Sequence, residues 1–352
     1  MNWHQIFLLT GLLIVTWTGL GYAQEPSVTD PLFGSDSLIE INIVANIKGL
    51  LRTKHKLPEV EYPGYLWYLN KLGDTVSLKI KIETRGITRK KVCFFPPVRL
   101  NFQKKKVKNT LFENQDKLKL VTHCRETDRF NSYLNKEYLV YRMYNELTDY
   151  SYKVRMLKVN YIDSARALDT IKDYAFAIEH KDRMAERNQS IVLDRKGIHP
   201  KLLSRYPYGL MSMYQFMIGN TDWNEPSLHN LRLIKLKDPT RIDIVAVPYD
   251  FDFCGLINTS YASPTEGLSI SKVTERLYRG KCLTSEEYQK VIETFNQKKD
   301  NMFAICDKEG NLTEKERKSV IEYLDQFYSI INSKNGLDNT VLRSCRPDAS
   351  YH

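Results

Sequence analysis

Hydrophobic and polar positions along this chain change period several times, and the changes mark its elements. "LIEINIVANI" (38–47) alternates, and "TVSLKIKIETRG" (75–86) alternates strictly up to Gly86, the pattern of half-buried strands. "VRLNF" (98–102) follows two prolines that exclude helix, and "KLKLVTHC" (117–124) alternates again. Residues 38–124 therefore predict an antiparallel sheet. Helical spacing of Tyr133, Leu134, Tyr138, Val140, Tyr141 and Tyr144 then predicts one helix within 129–148. Strand patterns return in "SYKVRMLKVNYID" (151–163) and "DYAFAIEH" (173–180).

Beyond residue 205 the pattern is mainly helical. "YGLMSMYQFMIGN" (208–220) reads as a buried helix stopped by Gly219 and Asn220. A polar loop, "TDWNEPSLHN" (221–230), leads into "LRLIKL" (231–236) and "IDIVAVPYDFDF" (242–253), which read as a hairpin. Helices are expected in "VTERLYRG" (273–280), "SEEYQKVIETFNQKKDNMFAI" (285–305) and "TEKERKSVIEYLDQFYSII" (313–331). The predicted class is α+β, with two lobes: a β-rich N-terminal lobe with one helix over 37–180 and a mainly helical C-terminal lobe over 181–352. This is the order of elements used by protein-kinase-like folds.

Ahead of them, residues 1–23 read as a signal peptide. "IFLLTGLLIVTW" is the apolar core, and Gly21 and Ala23 are small residues at cleavage offsets. Residues 24–36 read as a flexible leader. No later stretch has the roughly 18 consecutive apolar residues of a spanning helix, so the reading is an exported protein, periplasmic or extracellular, without a transmembrane segment after cleavage. Export makes disulfides admissible, and the six cysteines form no C-x-x-C motif. Pairing is expected for Cys93 with Cys124 and for Cys282 with Cys345, leaving Cys254 as a buried thiol.

The net charge of +10 is partly concentrated in "TRKK" (88–91) and "KKKVK" (104–108). Such runs suit an anionic partner or form solvated faces, and no nucleic-acid-binding motif accompanies them. There is no G-x-S-x-G hydrolase elbow and no Gly-rich phosphate loop.

Two acids, Asp250 and Asp252, close the apolar run "VAVPYDFDF". Two apart on a strand, they would share a face with Phe251 opposite. Two like charges that close call for a cation, and Mg²⁺ or Mn²⁺ suits oxygen donors. In the loop upstream, Asp222 is placed to orient a hydroxyl and accept its proton, and Asn230 to supply a metal oxygen. Both features also have a plain reading as Asx residues capping turns.

Together with "RG" (85–86), "PPVRLNF" (96–102), "DKLKLVTHC" (116–124), "KEYLVYRMYNEL" (136–147) and "YAFAIEH" (174–180), these blocks resemble, in their order, spore-coat-protein-H-type (CotH-like) atypical kinases over about residues 75–260. The resemblance implies a nucleoside triphosphate, ATP, as co-substrate. It implies Asp222 as the catalytic acid of the loop, and Asn230, Asp250 and Asp252 as metal ligands. Glu137 matches a helix glutamate that positions a basic residue, and Glu179 a segment near the base of the nucleotide. Where the family carries Lys-Lys-Ser this chain has "FPPVR", so Arg99, Arg85 and Lys119 are alternatives for the nucleotide-facing cation. The function expected is metal-dependent transfer of phosphate to a hydroxyl, with a protein as acceptor. The alternatives are a catalytically silent envelope scaffold for an anionic partner, and a D-x-D glycosyltransferase, for which the usual doubly wound alternation is missing.

Overall fold

The computed structural model describes residues 29–347 apart from 239, 241 and 242, so the expected signal peptide lies outside the described residues. The alternating segments form strands β1 (Ile39–Ala45), β2 (Tyr62–Leu69), β3 (Thr75–Thr84), β4 (Val98–Phe102), β5 (Lys117–Thr122), β6 (Val154–Asp163) and β7 (Ile171–Ile178). Two short helices interrupt them, α1 (Ile47–Arg52) and α2 (Thr88–Val92), and α3 (Asp128–Leu147) separates β5 from β6.

These strands do not make the open sheet of a two-lobed, protein-kinase-like fold. They close into a seven-stranded barrel in the order β1-β2-β3-β4-β5-β7-β6. The closing seam is the parallel pairing of β6 with β1, in which Asn42 faces Asn160, and the Asn160 amide donates to Asn42 Oδ1 at 2.9 Å. The kinase-like expectation fails here because periodicity tells which face of a strand is buried and not which strand it pairs with. Closure removes the sheet edges that an open lobe would expose. Inside, Ile41, Ile43, Leu66, Ile80, Ile82, Leu100, Leu118 and Leu120 interdigitate, so the barrel is packed rather than hollow.

The expected leader is packed at its end: Leu32 is fully buried, and Asp30 Oδ1 accepts from Arg183 Nε at 3.0 Å.

After the barrel come α4 (Lys181–Arg187), β8 (Ser190–Leu193), α5 (Arg205–Met217), β9 (Leu231–Leu236), β10 (Ile244–Pro248), α6 (Ser285–Lys308) and α7 (Glu314–Ile331). The expected hairpin is real, and β8 joins it in a three-stranded antiparallel sheet. Helices α6 and α7 each open on a capping box, Thr284 with Glu287 and Thr313 with Glu316. The helix expected in 273–280 is absent. That stretch is a strap whose Arg276 and Arg279 donate to the carbonyls of Met217 (3.1 Å) and Trp223 (2.9 Å), tertiary bonds that replace helical ones.

A second core lies between the outer wall of the barrel and the helices. Val121, Met156, Phe176 and Ile178 point outward into it, and α3 runs through it. Tyr138 and Tyr141 of α3 pack on Phe176, and Tyr144 packs on Tyr214 of α5. Helix α3 therefore links the barrel to the helical region. Both expected disulfides are present, Cys93–Cys124 and Cys282–Cys345, and Cys254 is a buried free thiol together with Cys306. Among the described residues no helix is long and apolar enough to cross a membrane.

Candidate functional site

The site is assembled at the end of β10, where three parts of the chain meet. Strand β10 stops at Pro248, and Asp250 is left-handed with φ +63°. Asp250 and Asp252 are therefore not on one extended strand, as the alternation suggested; a turn brings them together. Phe251 is driven into the helical core, its ring 4.8 Å from that of Tyr141. The Asp250 N–H donates to Tyr141 Oη at 2.8 Å, so α3 holds the turn directly.

One helical turn before Tyr141, Glu137 faces the same segment. It is almost fully buried and bonds the Arg89 guanidinium, whose Nε donates to Asp252 Oδ2 at 2.9 Å. Tyr261 also donates to Asp252 Oδ2, at 3.1 Å. Burial pushes the Glu137 carboxyl up to about 7 against the pull of Arg89, with Asp252 and Asp250 adding to the rise. Burial works against the charge on Arg89, and Glu137 and Asp252 overcome it.

Arg89 was legible only as one letter of a basic run. In the structure "TRKK" is not a solvated face: Arg89 is taken up as described, and Lys90 is buried against Glu59 at 2.7 Å. What fixes Arg89 is the clamp on α2. Cys93 is bonded to Cys124, Arg125 Nη2 donates to the Val92 carbonyl at 2.7 Å, and Lys54 Nζ donates to the Cys93 carbonyl at 2.7 Å. Cations on the last carbonyls suit a helix C-terminus.

The third part is the loop after α5. Asp222 Oδ1 meets His229 Nε2 at 2.8 Å, and Asn230 Nδ2 donates to the Asp222 carbonyl at 2.8 Å and to Oδ2 at 3.0 Å. Paired backbone bonds between Asn224 and His229 close the loop, and Leu228 and Asn230 are both left-handed. Such backbone is uncommon outside glycine, most of all for leucine, and clusters at functional positions. The Asn230 carbonyl accepts from Tyr249 N at 3.0 Å, which sets the loop beside the Asp250 turn.

Opposite stands the outer wall of the barrel. Register aligns Glu83 with Arg99 and Arg99 with Lys119 across β3, β4 and β5. Arg99 pairs with Glu83 at 2.8 Å. Lys119 Nζ lies 5.9 Å and Arg232 Cζ 5.0 Å from the Tyr249 ring centroid, so two cations pack over one aromatic ring. Burial pushes Lys119 down to about 8, Arg85 and Arg232 push it further, and Asp250 opposes them. Arg85, Lys119 and Arg232 have no carboxylate within ion-pair distance among the described residues. Asp250 is held above the usual carboxylate range, first by burial and then by Asp252, while Arg85, Arg89 and Lys119 pull it down. A cleft of about 550 Å³ opens here, lined in part by Asn230, His229, Arg232, Tyr249, Lys196 and Asp194.

Of the expected residues, the structure brings together Asp222, Asn230, Asp250, Asp252 and Glu137, with Lys119 and Arg85 alongside. The basic partner of Glu137 is Arg89 rather than Arg85, Arg99 or Lys119. Glu179 stands apart: its carboxylate accepts from Arg187 Nε at 3.0 Å and Nη2 at 2.9 Å and from Lys153 N at 3.0 Å. Glu179 and Arg187 are both buried, and their pairing ties α4 to the end of β7. Replacing Glu179 by glutamine is expected to lower stability by about 2 kcal/mol, because a buried guanidinium loses its counter-charge. Urea melts of wild type and variant should show this.

The basic run at 104–108 is an exposed turn, Lys104 lying 3.7 Å from Asp116. Among the described residues, no three His, Cys, Asp or Glu side chains converge to hold a metal ion. Compared with known proteins, the chain matches no family model, no curated protein and no solved structure.

Proposed function

We propose that the chain is a metal-dependent phosphotransferase that moves phosphate from a nucleoside triphosphate such as ATP to a hydroxyl, with a protein as acceptor. The observation that carries this reading is charge without a counter-charge around the Asp250 turn, beside the cleft that Arg232 and Asn230 line. Arg85, Lys119 and Arg232 repel one another and have no carboxylate partner, and the Asp250 carboxylate has no hydrogen-bond donor among the described residues. A polyphosphate with a divalent cation would answer both, its oxygens suiting the three cations and Asp250 being an oxygen donor that could hold the metal.

The donor types suit Mg²⁺ or Mn²⁺. Among the described residues, the side-chain hydrogen bonds of Asn230 use its Nδ2 and leave Oδ1 open, and the Asp252 carboxylate is bonded only through Oδ2. Asn230 Oδ1, Asp250 and Asp252 Oδ1 are hard oxygen donors. A cation held there would neutralise charge on the transferring phosphate. Arg89 supplies a positive charge paired with Asp252 and Glu137. Lys119, low for a lysine, regains its proton affinity when an anion arrives. The order of Asp222, Asn230, Asp250 and Asp252, on which the resemblance to CotH-like kinases rests, supports the same chemistry on a barrel-based fold. Two disulfides are compatible with an oxidising compartment, which agrees with export.

A second reading is favoured by Arg89, which already neutralises part of the acidic cluster: a silent scaffold that binds an anionic partner at the same cleft without turnover. One set of measurements separates the two. ATP with Mn²⁺ should raise the melting midpoint of the wild type, and label from γ-labelled ATP should appear in an acceptor protein mixture. Asp250→Asn should weaken metal-dependent nucleotide binding by at least tenfold and leave the fold intact. Binding without label supports the scaffold, and no binding of any nucleotide with either metal defeats the enzyme reading.

A further inference from the structure

We propose that one end of the barrel is a docking surface for an anionic lipid bilayer. The basic run at 104–108, which the cleft leaves unused, lies on that end. Strand register fixes its place. Leu69 pairs with Thr75 across the β2–β3 turn, Ile80 with Phe102, and Asn101 with Lys117, so the β2–β3 turn and the β4–β5 connection leave the barrel at the same end. The connection is folded against β2: the Leu111 N–H donates to Tyr68 Oη at 2.9 Å, and the Phe112 ring lies 5.6 Å from that of Tyr68. Val107 and Phe112 anchor it in the barrel core, while Lys104, Lys105, Lys106 and Lys108 are exposed.

Charge at this end is one-sided. Segments 69–79 and 103–117 carry seven lysines, three acids and no arginine or histidine. All seven lysines are exposed, and among the described residues only Lys104 lies within ion-pair distance of an acid, Asp116. Apolar side chains stand among these charges. Leu69 is 59% exposed, and Leu72, at 86%, is the most exposed large apolar side chain of the described residues. The turn itself does not call for leucine. Asn70 Oδ1 accepts from the N–H groups of Leu72 and Asp74, each at 2.9 Å, and Gly73 supplies the left-handed residue at φ +87°. A polar residue at 72 would make the same turn and avoid placing an apolar side chain in water.

An anionic bilayer accounts for both features. Its surface potential attracts a cluster of lysines, and the boundary between headgroups and acyl chains takes apolar side chains that project beyond them. Lysine stems lie along such a boundary with their ammonium groups among the headgroups. A nucleic acid or an acidic peptide would answer the lysines and leave Leu69 and Leu72 in water. The absence of arginine points the same way. Arginine grips single phosphates or carboxylates in two-pronged fashion, whereas lysine is a hydrated point charge suited to a diffuse field.

The test is sedimentation of the full chain with vesicles of phosphatidylcholine, alone or with about a third phosphatidylglycerol. At about 0.1 M salt the wild type should bind the anionic vesicles at least ~tenfold more tightly than the neutral ones, and about 0.5 M salt should remove most of that difference. Lys104→Gln, Lys105→Gln, Lys106→Gln and Lys108→Gln in one chain should cost at least ~tenfold in affinity for the anionic vesicles. Leu69→Ser with Leu72→Ser should cost at least ~threefold. None of these side chains is buried, so both variants should melt with the wild type. Residues 1–23 are common to every chain compared, so the differences report the barrel end. Leu72→Cys carrying a polarity-sensitive dye should shift to the blue on anionic vesicles; the other free thiols, Cys254 and Cys306, are buried. A lysine variant that binds anionic vesicles as tightly as the wild type, or a dye that does not shift, overturns the proposal. So does a leucine variant that binds like the wild type while polyglutamate or duplex DNA displaces the vesicles, since the partner is then a soluble polyanion.

Discussion

Substituting methionine for Arg89 is expected to destabilise the protein by roughly 3–5 kcal/mol near pH 8, the range for breaking a buried ion pair from one side. Arg89 is the only cation within ion-pair distance of Glu137 and of Asp252 among the described residues, and Glu137 is 2% exposed. Without it, Glu137 and Asp252 lose their shared counter-charge in a site that already holds Glu137 up to about 7. The deficit should depend on pH. Removing Arg89 raises the folded-state pKa of Glu137 further above its unfolded value, so the folded variant favours the protonated acid. Its deficit should be small below the unfolded pKa of about 4.3 and should grow as pH rises toward the folded value. Urea unfolding of wild type and Arg89→Met at pH 5.5 and pH 8 measures this directly. Adding Glu137→Gln to Arg89→Met should restore part of the loss, because the orphaned charge is gone. Equal midpoints for wild type and Arg89→Met at both pH values would show that the guanidinium is not what stabilises the acidic cluster.

His123→Phe is expected to remove most of the sensitivity of the fold to acid. His123 is fully buried beside the packed rings of Phe95 and Tyr161, and neither ring nitrogen has a hydrogen-bond partner among the described residues. Burial pushes it down to about 4. The unfolded chain takes up a proton on this histidine as pH falls through about 6.5, while the folded protein declines it until about 4. Stability contributed by the neutral, buried ring is therefore present above the unfolded pKa and is lost as pH falls through that window. Each pH unit is worth ~1.4 kcal/mol, so the loss approaches ~3 kcal/mol by pH 4. Phenylalanine has no proton to gain and leaves no unpaired polar atom, so stability near pH 7.5 should be equal or higher. Chemical denaturation at pH 7.5 and 4.5 decides the matter; an identical drop in midpoint for wild type and variant would remove His123 as the acid-labile group.

Arg89 and His123 share a lesson about what a linear reading can reach. Each lies in a segment whose local character was plain, a basic run and the end of a strand. The consequence of each came from a neighbour far away in the chain: Glu137 and Asp252 for Arg89, and Tyr161 for His123. Charge runs are read as solvated by default, and Arg89 and Lys90 defeat that default because a disulfide and two cations pin α2 against the acids. Glu179 shows the reverse error. An acid at the end of a strand pattern invites a functional role, and it meets Arg187 on the very next helix.

The sequence by itself determined the barrel strands other than β2, the hairpin and the long helices, because burial of alternate or every third and fourth side chain leaves its period in the residues. It determined both disulfide pairs as expectations, and it brought Asp222, Asn230, Asp250 and Asp252 into one argument through their order. Only the tertiary structure decided that the strands close into a barrel, since pairing of β6 with β1 spans more than a hundred residues and leaves no local period. Only it decided that Asp250 sits in a left-handed turn held by Tyr141, that Arg89 is the partner of Glu137, and that both oxygens of Asp222 are engaged. Side-chain partners are chosen by three-dimensional proximity and by the cost of burying charge, and neither quantity is written in the spacing of a chain.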